Sequence, residues 1–453
     1  SPRRPSFWSN VALSGILPHM IDTQTQPDPI THIPRGVADY FWQEAQTRRA
    51  VEQVILETFR RWGYGDVIPP MFEYADVLEQ RANVGLRAAM YRFLDRDGST
   101  LTLRPDMTIA VARLVGTRLH DWPMPQRFCY AGSVFRYLEP QAGRQREFLQ
   151  TGIELFGVST PAADAEVLAL TAEALRAAGV HDFQLVLGQI RYFEGLLEDL
   201  KLKPTDQAAL TAAIDSNSAA ALDDFLRDVP LRTQQRRTIE ELPLLSGAAT
   251  DAILAQADRH CLNYAMHAAL DNLRAICGQL EHYDLADALF LDLTEINNLG
   301  YYTGLTFEAL APGLGFPIAS GGRYDNLVGS FGPDQPAVGA ALGVDRILLA
   351  RRAGQDGVAS PHPQPPHALV SCGDDKACVQ LVQRWRARGL RIATDIQGRT
   401  PAALWTSAQQ VGIPYLFVWD APCFTVFGAA PADAGDVQWS REEADRFMQE
   451  VAP

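Results

Sequence analysis

The sequence predicts an α+β fold in two domains, with a mostly antiparallel sheet in the first and a smaller α/β domain at the C-terminal end. In the first 350 residues an amphipathic helix is followed by short strand-like runs, which is typical of an α+β core. An Ala/Leu-rich stretch at about 190–287 interrupts these runs and predicts a helical insertion. Beyond a Pro/Gly-rich stretch at 351–367, strand and helix patterns alternate, which predicts a small parallel sheet covered by helices.

The composition is that of a globular protein. The chain has 453 residues, of which 47% are hydrophobic and 21% charged, and this balance argues against a fibrous or disordered protein. Its net charge of -14 lowers the expectation of general nucleic-acid binding. Because no uninterrupted apolar run approaches ~18 residues, we expect no membrane span. The cysteines, without a Cys-x-x-Cys pair, are expected to be reduced, buried thiols of a cytoplasmic protein: Cys129, Cys261, Cys277, Cys372, Cys378 and Cys423.

The elements of the first half follow from periodicity. Apolar side chains at helical spacing predict a first helix that ends at Gly63: Val51, Val54, Ile55, Phe59 and Trp62. Strand-like runs then cover Phe72–Leu78, Ala89–Leu94, Thr100–Leu103, Gln126–Tyr137 and Phe148–Phe156. A further helix is predicted from Asp164 to Ala178, because acidic residues lie near its start and Gly179 follows its end.

The second half completes the predicted domain plan. After the insertion we expect strands at Ala288–Leu293, Tyr302–Leu310 and Phe316–Ser320, and a helix over Ala337–Arg352. In the last domain, strands at 368–372, 391–396 and 415–419 alternate with helices at 375–388 and 400–411. The predicted boundaries are a disordered extension at 1–33, a core at 34–350, a linker at 351–367 and a C-terminal domain at 368–453. A second interpretation takes residues 1–19 as a stretch that lies upstream of the true translation start at Met20.

Four sequence segments, taken together, form a pattern specific enough to indicate a protein family. They are LTLRPDMT (Leu101–Thr108), the stretch Val134–Gly157, NNLGYYTGLTFE (Asn297–Glu308), and the stretch Gly321–Arg346. In this order and spacing they resemble the catalytic core of histidyl-tRNA synthetases, a class II aminoacyl-tRNA synthetase fold, over about residues 34–350. The C-terminal domain resembles the anticodon-binding domain of that family more loosely.

The resemblance implies a histidine-binding pocket. The positions that match the family's pocket are Asp106, Thr108, Arg136, Gln150, Glu154, Tyr301 and Tyr302. Strand alternation independently places Gln150, Gly152 and Glu154 on one face, so that an amide and a carboxylate project together. For single residues an alternative stays open, in which Asp106 and Glu154 pair with Arg104, Arg113 or Arg144.

The protein groups that a synthetase needs to activate histidine with ATP are incomplete. The resemblance places Leu138 where synthetases carry a nucleotide-binding glutamate, and Asn297 where they carry an arginine. Loss of one preorganised charge-stabilising group typically costs on the order of 10²–10³ in rate. Arg136 and Arg346 remain and could hold an anion. We therefore expect no catalytic residues and no activation of histidine.

A chain with this pocket and these losses resembles the regulatory subunits of ATP phosphoribosyltransferase, which are paralogues of the synthetase. The resemblance implies a short-form catalytic subunit as partner, L-histidine as the feedback effector, and homodimers within a hetero-oligomer, expected to be a hetero-octamer. It implies no cofactor, no membrane and no nucleic acid. One feature departs from this resemblance: many such subunits have a reduced C-terminal domain, whereas the one here has the pattern of a full domain, which leaves room for residual RNA binding. From His362 to Pro453, however, there are 8 Lys/Arg and 10 Asp/Glu residues, a balance that favours a solvated surface over an RNA-binding one.

Other interpretations are testable. A working histidyl-tRNA synthetase would show histidine-dependent pyrophosphate–ATP exchange, and an RNA-sensing module would bind tRNA tightly and with strong salt dependence. The nine histidines form no His-x-x-x-His or His-Glu-x-x-His pattern, so no metal site is predicted. Gly321 and Gly322 are interpreted as a tight turn or close strand approach between strands rather than as a phosphate loop.

Overall fold

The computed structural model describes residues 32–79, 82, 84–139, 145–248, 251–295, 300–353, 365–428 and 437–451. Nearly all of the predicted N-terminal extension and most of the predicted linker lie outside these residues. The chain forms two compact units, one of residues 1–40 and 48–356 and the other of residues 41–47 and 357–453. Among the described helices none is both long enough and apolar enough to cross a membrane.

The strands of the first unit form one large and one small sheet. In chain order they are β1 (Gly65–Asp66), β2 (Phe72–Tyr74), β3 (Arg92–Leu94), β4 (Thr100–Leu103), β5 (Gln126–Phe135), β6 (Glu147–Phe156), β7 (Gln184–Gln189), β8 (Ser246–Ala248), β9 (Leu289–Asp292), β10 (Leu305–Leu310), β11 (Ala319–Arg323) and β12 (Ala337–Gly343). The nine-stranded sheet has the order β1-β5-β6-β12-β11-β10-β7-β9-β8. Its pairs are antiparallel except β1 with β5 and β7 with β9. The predicted antiparallel core is confirmed.

Helices cover the large sheet and form the insertion. In chain order they are α1 (Trp42–Arg61), α2 (Ala75–Glu79), α3 (Val84–Ala88), α4 (Thr108–Leu114), α5 (Pro161–Ala177), α6 (Ile190–Leu200), α7 (Pro204–Asp215), α8 (Ala219–Asp228), α9 (Thr233–Glu241), α10 (Asp251–Asp258), α11 (Tyr264–Glu281) and α12 (Val344–Ala353). Helices α6 to α11 occupy the stretch that the sequence assigned to a helical insertion, which also supplies the short edge strand β8.

The predicted helices α1 and α5 show why these segments fold as they do. In α1 the buried side chains Val51, Ile55 and Phe59 recur at the helical spacing read from the sequence. Helix α5 begins after Thr160 with a proline at its first position, and Gly179 beyond its end has a φ of +87°. Proline is preorganised for a helix start and glycine accepts the left-handed conformation at a helix end, so both boundaries are encoded locally.

The helix predicted over Ala337–Arg352 is wrong in its first half. Ala337–Gly343 is strand β12, paired with β6 on one side and β11 on the other, and helix α12 begins only at Val344. A strand buried on both faces carries a continuous apolar run, which periodicity cannot distinguish from a buried helix. Other strand predictions were too long, because helix α2 begins at Ala75, β3 begins at Arg92 and β10 begins only at Leu305. The strand predicted over Phe316–Ser320 is displaced, since β11 spans Ala319–Arg323.

The second unit contains the predicted α/β pattern, two further strands and one further helix. Its elements are β13 (Ala368–Ser371), α13 (Lys376–Ala387), β14 (Ile392–Thr394), α14 (Pro401–Gln410), β15 (Leu416–Asp420), β16 (Cys423–Phe427), β17 (Val437–Ser440) and α15 (Arg441–Val451). The sheet order is β14-β13-β15-β16-β17, with the first three strands parallel as predicted. Strands β16 and β17 add antiparallel pairs that the sequence analysis missed.

The prediction of reduced thiols is wrong for one pair. Cys372, just after β13, forms a disulfide with Cys378 in the first turn of α13, with the two Cα atoms 5.5 Å apart. The Asp375 carboxylate accepts from the Cys378 N–H at 2.7 Å and so caps the helix. The capped strand-to-helix turn brings the two sulfurs together across six residues, a spacing that a search for Cys-x-x-Cys passes over. The other four cysteines are free thiols.

Candidate functional site

A cavity of about 190 Å³ lies against the large sheet, beside the start of α4. It brings together six of the seven side chains predicted to bind histidine, and Arg346 as well. The residues that line it are Asp106, Thr108, Arg136, Gln150, Tyr301, Tyr302, Glu308, Pro317, Ser320, Gly321, Tyr324, Gly339, Ala340, Ala341 and Arg346. Its volume is below the roughly 300–1,000 Å³ of pockets for drug-sized ligands, and it therefore suits a molecule of amino-acid size.

The turn between β4 and α4 presents Asp106 and Thr108. The Thr108 backbone N–H donates to Asp106 Oδ1 at 2.7 Å, and the Met107 N–H donates to Gln150 Oε1 at 3.2 Å. Gln150 belongs to β6, so its amide ties the turn to the central sheet. Asp106 and Gln150 are both buried, and the two bonds fix their positions on the cavity wall.

Arg136 supplies a cation beside Asp106. Its Nη2 lies 3.8 Å from Asp106 Oδ2, and its Nε donates to the Pro105 carbonyl at 2.8 Å. The guanidinium also lies 5.3 Å from the ring centre of Phe148. The wall therefore offers both a carboxylate and a guanidinium, which are complementary to the two charged groups of an amino acid.

The alternative in which other arginines neutralise these carboxylates is not supported by Arg104 or Arg113. Arg104 donates to the carbonyl oxygens of Ser133 and Pro69, each at 2.8 Å, and Arg113 pairs with Glu73. Arg144 lies outside the described residues.

Glu154 stands behind the cavity wall rather than on it. Its side chain is fully buried, and Oε1 accepts from the Tyr130 hydroxyl at 3.0 Å while Oε2 accepts from the Tyr324 hydroxyl. Burial raises the pKa of the Glu154 carboxyl to about 8, although hydrogen bonds from Tyr324, Thr108 and Tyr130 lower it. Tyr324 does line the cavity, so Glu154 reaches the site through this phenol.

Glycines in the neighbouring strands make room for this buried group. Gly339 of β12 pairs with Glu154, and a Cβ there would lie 1.8 Å from Glu154 Oε2. Gly152 of β6 pairs with Tyr130 of β5, and a Cβ there would lie 2.4 Å from the Tyr130 hydroxyl oxygen. Any larger residue at either position would have to displace the carboxyl or the phenol, so the glycines are part of the site.

Gly321 and Gly322 lie within strand β11, not between strands as the sequence analysis placed them. A Cβ on Gly321 would lie 2.3 Å from the Gly339 carbonyl oxygen and 2.7 Å from the Phe307 ring. The interpretation as close strand approach is therefore confirmed for Gly321, and its position inside a strand does not fit a phosphate-binding loop.

Aromatic side chains and a second pair of charged groups complete the walls. The rings of Tyr301 and Tyr302 are 4.9 Å apart, and Tyr301 lies 5.8 Å from Tyr324. Glu308 and Arg346 also line the cavity. Burial raises the pKa of Glu308, and Arg346 Nη1 donates to the Pro317 carbonyl at 2.8 Å.

Three residues of the site were not predicted from the sequence: Tyr130, Tyr324 and Glu308. Tyr324 and Glu308 belong to two of the motif segments, so the signal was present but was not assigned to a role. Tyr130 lies on β5 opposite Gly152. The motif segments do not include Tyr130, and only the strand register shows that its phenol reaches Glu154.

The structure describes only one of the two positions that are predicted to have lost synthetase groups. Leu138 is half-buried beyond the end of β5 and does not line the cavity, and its carbonyl accepts from Arg146 Nε at 3.1 Å. Its hydrocarbon side chain has no polar atom to hold a nucleotide. Asn297 lies outside the described residues.

Known proteins resemble this chain over most of its length. Residues 36–347 match the family model described as histidyl-tRNA synthetase. A Moorella thermoacetica protein named ATP phosphoribosyltransferase regulatory subunit is 39% identical over 369 residues, which cover 81% of this chain and 93% of that protein. A protein of the same name from Syntrophotalea carbinolica is 36% identical over 373 residues, which cover 82% and 86%.

A solved structure shares the fold. The crystal structure of an ATP phosphoribosyltransferase regulatory subunit/histidyl-tRNA synthetase from Bacillus halodurans has a TM-score of 0.75 and 28% identity, covering 83% of this chain and 96% of that one. The family model supplies the synthetase fold, and the relatives above 30% identity carry the name of a regulatory subunit. The chain therefore belongs to the family of ATP phosphoribosyltransferase regulatory subunits, non-catalytic paralogues built on the histidyl-tRNA synthetase fold.

Proposed function

We propose that this chain regulates a separate, short-form ATP phosphoribosyltransferase catalytic subunit and that it senses L-histidine in the cavity beside α4. The observation that carries the proposal is that Asp106, Thr108, Arg136, Gln150, Tyr301 and Tyr302 line one cavity. Histidine is the end product of the pathway that the phosphoribosyltransferase begins. Its binding here would provide feedback inhibition of the first step.

The chemistry of the walls supports an amino-acid ligand. Asp106 and the amide of Gln150 can accept hydrogen bonds from the ligand ammonium, and Arg136 or Arg346 can hold its carboxylate. The imidazole needs both a donor and an acceptor, which the tyrosine hydroxyls supply. Tyr324 would connect the ligand to Glu154, so that the buried carboxyl responds to what occupies the cavity.

Inhibition places a thermodynamic condition on this site. Histidine must bind the low-activity arrangement of the complex more tightly than the active one, because equal affinity for both would shift nothing. A coupling free energy of ~1–3 kcal/mol gives roughly 5–150-fold modulation. The unliganded chain would hold the catalytic subunit in its productive arrangement.

The proposed assembly follows the family resemblance. We place the chain as a homodimer within a hetero-octamer of regulatory and catalytic subunits, in the cytoplasm. The proposed domains keep the predicted boundaries, with a core at 34–350 and a C-terminal domain at 368–453. We propose no RNA binding by the C-terminal domain, because its acidic residues outnumber its basic ones.

The test is reconstitution. The full chain is mixed with a short-form catalytic subunit, and ATP phosphoribosyl transfer is measured with and without histidine. We expect transfer to depend on this chain and to fall when histidine is added. If the chain gives no increase in transfer, the regulatory proposal is wrong.

Two variants test the cavity. Asp106→Asn and Glu154→Gln should keep activation of the partner but weaken inhibition by histidine. Loss of the charged hydrogen bond in Asp106→Asn costs about 1.5–3 kcal/mol, which corresponds to a shift in the inhibitory histidine concentration of roughly 10–100-fold. Asp121→Asn is the matched control, since its side chain is 89% exposed. Inhibition of Asp106→Asn at the parent's histidine concentration would show that the cavity is not the sensor.

The competing function, a working synthetase, has its own assay. Histidine-dependent pyrophosphate–ATP exchange measures adenylate formation directly. We expect none, because Leu138 supplies no polar group for the nucleotide. Robust exchange by the purified chain would replace the regulatory proposal with a catalytic one.

A further inference from the structure

A second cluster of chemically active side chains lies in the helical insertion, where α10 turns into α11. Asp258 is the last residue of α10, Cys261 belongs to the connecting segment, and His267 lies in the first turn of α11. One donor atom from each lies within 4.8 Å of the other two, and His267 Nδ1 is 3.0 Å from Asp258 Oδ1. No part of this cluster lines the cavity beside α4.

The three donors match the preferences of zinc. Zn²⁺ binds thiolate sulfur at about 2.3 Å, imidazole nitrogen at about 2.0–2.1 Å and carboxylate oxygen at about 2.0–2.2 Å, usually in tetrahedral geometry. Tetrahedral geometry with these bond lengths requires donors roughly 3.5 Å apart. The present spacing therefore needs only small rotations of the side chains. A soft thiolate among the ligands favours Zn²⁺ over Mg²⁺ or Ca²⁺.

The surroundings leave room for the ion and for a fourth ligand. The side chains of His267 and Asp258 are 48% and 46% exposed, so both can adjust and a water can complete the tetrahedron. Cys261 is buried on the inner side, and its thiol donates to the Ala257 carbonyl at 3.6 Å. Burial raises the pKa of this thiol to about 12. A bound divalent cation would displace the thiol proton to solvent.

We propose that Asp258, Cys261 and His267 form a zinc site that joins the end of α10 to the start of α11. Helix α11 packs against α5 and α6, so the ion would fix the insertion where it meets the core. No metal site was predicted from the sequence, because it contains neither a Cys-x-x-Cys pair nor histidines at metal-binding spacing. Here the donors are three and six residues apart, and they come from a helix end, a connecting segment and the next helix.

The experiment uses the full chain with Zn²⁺ alone, and with Co²⁺ as a spectroscopic probe, in a buffer with a non-thiol reductant. We expect one equivalent of Zn²⁺ per chain by equilibrium dialysis, and a thiolate-to-cobalt charge-transfer band with Co²⁺. Cys261→Ser and His267→Ala should each lower Zn²⁺ affinity by more than the roughly 10–100-fold that loss of an outer-shell partner costs. Cys277→Ser, which removes the nearby free thiol within α11, is the matched control and should bind as the parent does.

Thermal unfolding provides a second readout, because an ion that binds only the folded chain raises its midpoint. The midpoint of the parent and of Cys277→Ser should rise with Zn²⁺, and that of Cys261→Ser should not. Unchanged Zn²⁺ stoichiometry and affinity in both Cys261→Ser and His267→Ala would overturn the proposal. The absence of a charge-transfer band in the parent would overturn it as well.

Discussion

Replacing Glu154 by glutamine should remove much of the pH dependence of the chain's stability. Burial raises the pKa of Glu154 to about 8 in the folded state, from an ordinary value of 4.5. Because the folded-state value is the higher one, the stabilisation is complete below about pH 4.5 and is lost as the pH rises to 8. Between pH 5.5 and 7.5 the unfolded carboxyl is ionised and the folded one is mostly protonated. At ~1.4 kcal/mol per pH unit, the parent should lose about 2.5 kcal/mol over this interval.

The assay is urea unfolding of the parent and Glu154→Gln at pH 5.5 and pH 7.5. Glutamine keeps the size of the side chain but does not titrate, so the stability of the variant relative to the parent should improve by about 2.5 kcal/mol at the higher pH. Burial also raises the pKa of Asp164, to about 6, but this group titrates in both chains and cancels in the comparison. Glu198→Gln, at an exposed site on α6, should follow the parent. If parent and Glu154→Gln lose stability in parallel, the carboxyl is not held protonated and the reasoning fails.

Five further substitutions test the packing and charge balance of the first unit, each by urea unfolding. Gly339→Ala should destabilise the fold by ~1–3 kcal/mol because its Cβ has no space, whereas Gly278→Ala, in open space within α11, should stabilise it by ~0.5–1 kcal/mol. Arg323→Met leaves Asp164, which the guanidinium contacts at 2.7 Å, as a buried carboxylate without its cation. It should cost ~3–5 kcal/mol, part of which Asp164→Asn would restore. Tyr324→Phe removes a donor to the buried glutamate and should cost ~1–3 kcal/mol; no loss of stability would show that the bond is dispensable.

Much of the fold could be predicted because local signals agree with the tertiary structure. Helix α5 begins with a proline and is followed by a glycine, and both are local signals for helix ends. In α1 the apolar residues at helical spacing are the ones that are buried. Strand β12 could not be predicted, because its neighbours β6 and β11 bury both of its faces and remove the alternation. The strands β16 and β17 were missed for another reason, since the preceding β-α-β-α-β pattern is already typical of a complete small domain.

For the candidate site, too, part could be predicted from the sequence and part could not. Asp106 and Gln150, which belong to the motif segments, both line the cavity. The position of Glu154 behind Tyr324 depends on the strand register and on the space left by the glycine at position 339. Only the tertiary structure shows either of them. The sequence showed a carboxylate on a strand face but not the phenols that hold it.

The order of strands in the large sheet has a consequence for fragments of the chain. Strand β7 precedes helices α7 to α9, yet it pairs with β9 and β10, which follow them. A protease cut between α6 and α7 would therefore leave two pieces interlocked through the sheet rather than two separate folding units. The piece ending near Leu200 carries Asp106 and Gln150, and the other carries Tyr301 and Arg346. Neither piece alone could form the cavity, but the two co-expressed should rebuild it, which offers a complementation assay for assembly of the sheet.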